Sequence, residues 1–212
     1  WIHDTVRVVR DEAGRARRLC GVKVDITALK RAQQYEEIQF CVTRLLAEAT
    51  SLDEVLPVLF ERLCRSLGWE FGEVWRVVAA ADVLRRGGTW HEPSLDVAEF
   101  LEATRGTTFA RGVGLPGRAW QDGAPVWMSD VSTDARFARS AVAARAGLHG
   151  AFAFPIRSAR EVIGVLVFFS RRVYPPDEHL LKVVADLGLQ IGQFIERQQA
   201  EEALERSEQE YR

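Results

Sequence analysis

Hydrophobic positions alternate with polar ones through roughly the first 26 residues of this 212-residue chain, and then the period changes. Val6, Val8 and Val9 mark one strand and Asp11-Glu12-Ala13-Gly14 a turn. Residues 16–26 form a second strand in which Cys20, Val22, Val24 and Ile26 alternate with polar neighbours. A two-stranded hairpin is marginal by itself, so the pattern predicts that this pair ends a larger sheet. Helical spacing begins at Ala28. Thr27 or Asp25 is placed to cap it, because a side-chain oxygen there accepts a free N–H of the first turn. Tyr35, Ile38, Val42, Leu45 and Ala49 recur at intervals of three and four and predict another helix. Ser51-Leu52-Asp53-Glu54 has capping-box form and opens the next, with Val55, Leu59, Leu63 and Leu67 on one face and Gly68 at its end.

Residues 69–78 and 83–91 read as strands joined by an Ala-rich turn, and Ser94 to Thr104 as a short helix. A loop-rich stretch follows, with a short helix at 115–122, a strand at 125–130 and a helix at 134–146. The segment HGAFAFPIRSAREVIGVLVFFS (149–170) is two apolar runs around Ser158-Ala159-Arg160-Glu161, the mark of a hairpin in a buried sheet. Its second run, Val162 to Phe169, is apolar throughout, as a strand covered on both faces is. Pro175-Pro176-Asp177 starts the longest helix, in which Leu180, Val184, Leu187, Ile191 and Phe194 keep a 4-3-4-3 spacing. Beyond Glu196 the helix turns polar, with Leu204 and Tyr211 seven apart. Such a helix buries little against its own domain and is most stable paired with a copy of itself.

Composition narrows the function classes. A formal net charge of −2 argues against a basic nucleic-acid surface. No window approaches the roughly 18 uninterrupted apolar residues of a membrane span. The opening Trp1-Ile2-His3-Asp4 has neither an initiator Met nor a basic-then-apolar leader pattern, so the chain reads as a slice of a longer protein. Cys20, Cys41 and Cys64 share no short motif spacing, and each sits on a predicted apolar face. That pattern implies free thiols in a reducing compartment, and hence the cytoplasm.

Chemistry-bearing motifs are few. Gly112-Val113-Gly114-Leu115-Pro116-Gly117 matches G-x-G-x-x-G, with Asp134 about twenty residues on. A dinucleotide site needs a parallel βαβ unit around it; none surrounds this motif, which favours a structural loop-to-helix turn. The four histidines, His3, His91, His149 and His179, form no zinc-type cluster. The sequence shows no nucleophile elbow, P-loop or kinase ATP signature. No catalytic residue and no metal ligand is therefore assigned.

Three segments carry a family resemblance: GVGLPGRAWQDGAPVWMSDV (112–131), GAFAFPIRSAREVIGVLVFFS (150–170) and YPPDEHLLKVVADLGLQIGQFIER (174–197). With the order of elements over 38–198, they resemble a GAF domain. Residues 1–27 resemble the closing hairpin of a PAS domain with its Asp-Ile-Thr exit, and AEEALERSEQEYR (200–212) resembles the helix leading into a further PAS domain. The resemblance implies an α+β fold, with a central antiparallel sheet of about six strands and helices on both faces. A β-hairpin precedes the sheet and a coiled-coil-like helix closes the chain. It divides the chain into a PAS hairpin (1–27), a connecting signalling helix (28–37), a GAF domain (38–198) and a helical linker (199–212), from a multi-sensor protein such as a bacterial histidine kinase.

A GAF-like fold implies a cavity between sheet and lid. Trp75, Trp90, Phe109, Trp120, Trp127, Phe137, Phe152 and Phe154 fall on or beside these elements, and Arg136, Arg139 and His149 could supply polar groups. The competing reading is that the rings simply fill a core. Three arginines in RFARSAVAARAG (136–147) read as a solvated helix face, with an anion site as the alternative. Related domains attach bilins through a cysteine near AARAGLHG (143–150); there is none here, so a covalent bilin is disfavoured, as is haem through His149 or His91. The cofactor is left unassigned. The expected function is a non-catalytic regulatory module forming a parallel homodimer through its terminal helices. Adjacent PAS and kinase domains would be its partners, and Asp25, Ile26, Thr27, Ile38, Val42, Leu45, Leu187, Ile191 and Phe194 would relay the signal. The alternative is a dedicated small-molecule or chromophore receptor. A third reading, an enzyme like the free methionine sulfoxide reductases, needs cysteines around the cavity, whereas these three precede the sheet.

Overall fold

The computed structural model describes residues 1–210, so the Tyr211 position of the C-terminal stripe lies outside the described residues. The chain divides into two compact units, Trp1–Glu37 and Ile38–Arg212. In the first, β1 (Ile2–Arg10) pairs antiparallel with β2 (Ala16–Asp25), from Ile2 opposite Asp25 to Val9 opposite Arg18. The turn is held by Asp11, whose Oδ1 accepts the N–H groups of Ala13 (3.0 Å) and Arg15 (2.9 Å), and Gly14 supplies the positive φ of 76°. Every residue of both strands is exposed, Val6, Leu19 and Val22 included. Cys20 is exposed with them rather than sheltered on an apolar face.

Asp25 is the group that starts the first helix: its Oδ1 accepts the Thr27 N–H at 2.8 Å, and those Thr27 bonds hold the carboxyl below its ordinary range. Helix α1 (Thr27–Glu48) is one unbroken helix where the pattern suggested two segments, because nothing between 28 and 48 is a helix breaker. Tyr35, Ile38, Val42 and Leu46 are buried along it, and Leu45 is only half-buried.

The second unit is built on a six-stranded antiparallel sheet of order β5-β4-β3-β8-β7-β6. Its strands are β3 (Phe71–Val78), β4 (Val83–His91), β5 (Thr108–Phe109), β6 (Val126–Met128), β7 (Gly150–Arg157) and β8 (Val162–Ser170). Two-residue β5 is too short to show a period, so the sequence pattern misses it. Helix α2 (Leu52–Leu67) starts at Ser51, whose hydroxyl accepts the Glu54 N–H at 3.2 Å; it ends at Gly68, with φ 70° and its N–H on the Cys64 carbonyl. The reciprocal arm of the capping box is replaced, since the Glu54 carboxylate accepts the Thr50 hydroxyl instead. Val55, Leu56, Leu59, Phe60, Leu63 and Cys64 are buried. Phe60 meets Phe168 of β8 at 5.6 Å between ring centres, which fixes α2 on the sheet.

On the other face lie α3 (Ala98–Thr104), α4 (Gly114–Asp122) and α5 (Ser140–Arg145). Helix α3 begins four residues later than the pattern predicts, because residues 92–97 turn through the Leu95 N–H to Glu92 carbonyl bond. Helix α5 covers only the second half of the predicted 134–146: at the start of that span the Asp134 carboxylate accepts the Arg136 N–H at 2.8 Å and locks a turn instead.

Helix α6 (Glu178–Glu210) is capped by Asp177, whose Oδ1 accepts the Leu180 N–H at 2.9 Å. Leu180, Val184, Leu187, Ile191 and Phe194 are all buried, at about 1.5–3 kcal/mol apiece for full burial of such side chains. The helix lies against β7 through two glycines. A Cβ on Gly188 would strike the Pro155 carbonyl oxygen, and one on Gly192 the Arg157 carbonyl oxygen.

Candidate functional site

The space between the sheet and the α3–α5 segment is closed by a buried ion pair inside a box of rings. Strand alternation puts Phe71, Glu73, Trp75 and Val77 of β3 on that face, opposite Phe169, Val167 and Val165 of β8. Glu73 has no solvent exposure at all. Arg139, just before α5, reaches it with Nη2 on Oε1 at 2.7 Å and Nη1 on Oε2 at 3.3 Å. Nη1 also donates to Thr104 Oγ1 at 2.9 Å, while that hydroxyl donates to the Phe100 carbonyl at 2.6 Å. The guanidinium carbon stands 4.6 Å from the Phe100 ring centre, 5.2 Å from Phe137, 5.7 Å from Phe109 and Phe169, and 5.8 Å from Trp75. Ring faces attract a desolvated cation, so the box compensates part of what burial costs the charge.

One feature of the chamber is incomplete. Arg139 Nε, Trp75 Nε1 and Trp120 Nε1 are buried N–H groups with no acceptor among the described residues. Buried donors are nearly always satisfied by protein or ordered water.

The sequence candidates therefore separate. Trp75, Phe109, Trp120, Phe137 and Arg139 belong to the chamber side of the sheet. Phe152 and Phe154 are buried on the opposite face, stacked with Phe168 at 5.1 and 6.0 Å. Trp127 pairs across from Phe152 on that face and donates its indole N–H to the Tyr174 carbonyl at 3.0 Å. Trp90, opposite Gly72, is half-buried on the same side. Arg136 is exposed and grips Asp134 with Nη2 on Oδ2 at 2.6 Å, a bond that holds the Asp134 carboxyl down at about 2. The solvated-helix reading of 136–147 thus holds for Arg136 and Arg145 but fails for Arg139, 6% exposed, because the segment turns inward there. Glu73 is not singled out by the sequence reading, although a carboxylate between Phe71 and Trp75 on one strand face is a visible irregularity.

His149 lies at the edge of the lid, with Nδ1 3.2 Å from both Asp130 Oδ1 and Ser132 Oγ. Burial pushes the Asp130 carboxyl up, but bonds from Ser132 and His149 outweigh it and hold the group below its ordinary range. Both partners face the same ring nitrogen, so the trio locks a turn; a Ser–His–Asp relay places them on opposite nitrogens. The glycine motif likewise makes a turn. Gly112 and Gly114 have φ of 75° and 64°, and Gly117 packs directly on the Ala110 carbonyl. Cys64 is inside α2 on the far face, and burial pushes its thiol up beyond ordinary reactivity.

Two surface hollows flank the Arg76–Asp53 ion pair on that far face. One of about 480 Å³ is lined by Val74, Ile156, Val162 and Ile195, and one of about 380 Å³ by Leu56, Phe60 and Gly88. Nearby, Thr43 Oγ1 lies 3.1 Å from Gln190 Oε1, and the Gln198 side chain donates to the Thr50 carbonyl. Numbering rises together at the two contacts, so α6 runs parallel to the end of α1.

Residues 49–196 match the family model of the GAF domain. The chain belongs to the GAF family. Among solved structures it is similar to the A. aeolicus NlH2 GAF domain in an inactive state, at 20% identity over 78% of this chain and 97% of that one, with a TM-score of 0.63. It is similar to the GAF domain of a Coxiella burnetii phosphoenolpyruvate-protein phosphotransferase, at 18% identity over 81% of this chain and 98% of that one, TM-score 0.66. It is also similar to the free methionine-R-sulfoxide reductase of Neisseria meningitidis, solved with its substrate, at 20% identity over 80% of this chain and 93% of that one, TM-score 0.65. At these identities the likeness establishes the GAF fold and nothing finer. No curated protein matches the chain in sequence. Among the described residues of this GAF chain, no group of His, Cys, Asp and Glu could hold a metal ion, and no helix is long and apolar enough to cross a membrane.

Proposed function

We propose that this GAF domain is a non-catalytic regulatory module that takes up a signal at one end of its helical pair and passes it on at the other. The observation that carries the reading is the parallel course of α6 and the end of α1 (residues 38–48), tied by Thr43–Gln190 and, just past α1, by Thr50–Gln198. Chain running along α1 from residue 38 and chain leaving along α6 therefore point the same way. Residues 199–207 of α6 are exposed throughout, and Phe40 on α1 is 71% exposed. An exposed helix of this length is marginal alone and is stabilised by a partner helix. In the full reading the partner is a second copy, arranged as a parallel dimer. The hairpin of residues 1–27 closes a PAS domain, a further PAS domain follows α6, and the assembly belongs to a cytoplasmic histidine kinase. Sedimentation equilibrium tests the dimer: a monomer–dimer equilibrium is expected, and a strict monomer at high concentration overturns it.

A second reading, a receptor for a small molecule, is favoured by the three unsatisfied donors at Arg139, Trp75 and Trp120. It predicts a saturable rise in melting temperature with an acceptor-bearing ligand, lost in Trp75→Phe. What supports the non-catalytic reading over sulfoxide-reductase chemistry is the placement of the thiols: Cys20 on β2, Cys41 on α1 and Cys64 buried in α2.

A further inference from the structure

We propose that the chamber is a guanidinium-selective cage whose resident ligand is the chain's own Arg139, and that this internal ligand latches the 132–149 segment onto the sheet. The inference goes beyond the proposed relay, whose signal enters at a helix end, and names what the chamber itself recognises. Its floor is one carboxylate with no exposure, Glu73, presented with both oxygens toward the two Nη groups. A forked pair of this kind matches a planar guanidinium and not a compact ammonium. Its wall is the Thr104 hydroxyl, already committed as a donor to Phe100 and so left as an acceptor toward Nη1. Its remaining sides are rings of five residues, each from a separate place in the fold: Trp75 on β3, Phe169 on β8, Phe109 on β5, Phe100 on α3 and Phe137 in the turn before α5. Rings and a carboxylate gathered round one planar cation form a recognition site, whoever supplies the cation.

The fit to Arg139 is good but not complete, since its Nε–H finds no acceptor among the described residues. A free guanidinium compound, unconstrained by a backbone, can present all its N–H groups at a better angle. It must first displace an internal competitor held at high effective concentration, so the intact chain keeps such ligands out except at high concentration. When one enters, the bidentate tie between β3 and the residue preceding α5 is lost and the 132–149 segment is freed.

The test is chemical complementation. Arg139→Ala removes a fragment whose free form is ethylguanidinium, and that salt is the probe, with ethylammonium and tetramethylammonium as comparisons. Calorimetric titration of Arg139→Ala should show saturable binding of ethylguanidinium, roughly tenfold or more tighter than to Arg139→Ala/Glu73→Gln, because the paired charge is then missing. Amide exchange in residues 132–149 should quicken in Arg139→Ala and slow again with the probe. If Arg139→Ala does not fold unaided, refolding should succeed only with ethylguanidinium present. Equal binding to the two variants, equal response to tetramethylammonium, or a folded Arg139→Ala that binds nothing overturns the cage. So does failure to refold with the probe. A module that is strictly monomeric removes the relay reading while leaving this titration unchanged, so the two failures are distinguishable.

Discussion

Replacing Gly192 with Ala should loosen α6 although it improves the helix itself. Ala gains roughly 1 kcal/mol of helix propensity over Gly, and at an exposed site it would stabilise. At Gly192, however, the new Cβ would overlap the Arg157 carbonyl oxygen and stand 3.1 Å from the Ser158 nitrogen. Those are backbone atoms of the β7–β8 connection and cannot rotate away. Helix α6 must retreat, and Leu187, Ile191 and Phe194 retreat with it. Overpacking a close contact costs about 1–3 kcal/mol and occasionally more, with the contacts of three displaced core side chains in addition. A net loss of about 2 kcal/mol follows, or roughly 4–8 °C in melting temperature for a domain of this size. Gly188→Ala meets the Pro155 carbonyl in the same way and should cost a similar amount. The double variant should lose less than the sum, because a helix already withdrawn meets the second clash relieved. Thermal melts followed by circular dichroism measure all three. Unchanged or raised melting temperatures, with helix content intact, would refute the claim that α6 bears directly on the strand backbone.

Three further outcomes follow from the chamber and the caps. Glu73→Leu or Arg139→Met alone should destabilise by about 3–5 kcal/mol through an uncompensated buried charge, while Glu73→Leu/Arg139→Met together should come close to the parent; a denaturant double-mutant cycle shows it, and additivity would contradict the pairing. The Asp134 carboxyl, ordinarily near 3.8, is held at about 2, so its contribution is present above pH 4 and is lost as pH falls toward 2. Asp134→Asn should flatten that part of the acid-unfolding curve, by under about 1 kcal/mol because Arg136 is solvent-exposed, and an unaltered curve would count against the bond. Ser51→Ala, removing the α2 cap, should cost about 1 kcal/mol in equilibrium unfolding; Ser51→Gly should cost less.

Much of the fold is legible in the sequence because its signals are local. Asp177 and Ser51 announce α6 and α2, the 4-3-4-3 stripe names the buried face of α6, and Ser158–Glu161 marks the β7–β8 turn. The chamber is not legible, because it is non-local. Arg139 is one of three arginines in the alanine-rich stretch Arg136–Gly147, with nothing local to mark it off from the other two, and its partner Glu73 is 66 positions away in sequence. Helical periodicity carried through 134–146 puts Arg139 on the surface, whereas the Asp134 turn that redirects it depends on one side-chain bond. Phe152 and Phe154 fail as chamber residues for a simpler reason. In a strand buried on both faces apolar character does not alternate, so the sequence cannot say which ring faces the lid.

The two faces of the sheet give the proposed relay a physical route. β7 turns Ala151 and Ala153 toward the lid side and Phe152 and Phe154 toward the helices, and its Pro155 and Arg157 carbonyls touch the α6 glycines. β3 likewise presents Glu73 and Trp75 to the chamber and Val74 and Arg76 to the other side, joined to β7 through β8. A close-packed interior does not absorb a displacement of this kind; it passes it on. Losing the Glu73–Arg139 tie removes a clamp on β3, and the nearest structures to feel a shifted strand are the ones on which α6 rests. The energy required is only the difference in affinity of the cage for its occupant between two sheet positions, of the order of 1–3 kcal/mol in coupled systems. That is less than the cost assigned above to removing either charge. A relay built this way should therefore be abolished by Gly192→Ala even when the cage is intact, because the rod no longer rests on β7, through which a shift of β3 would reach it.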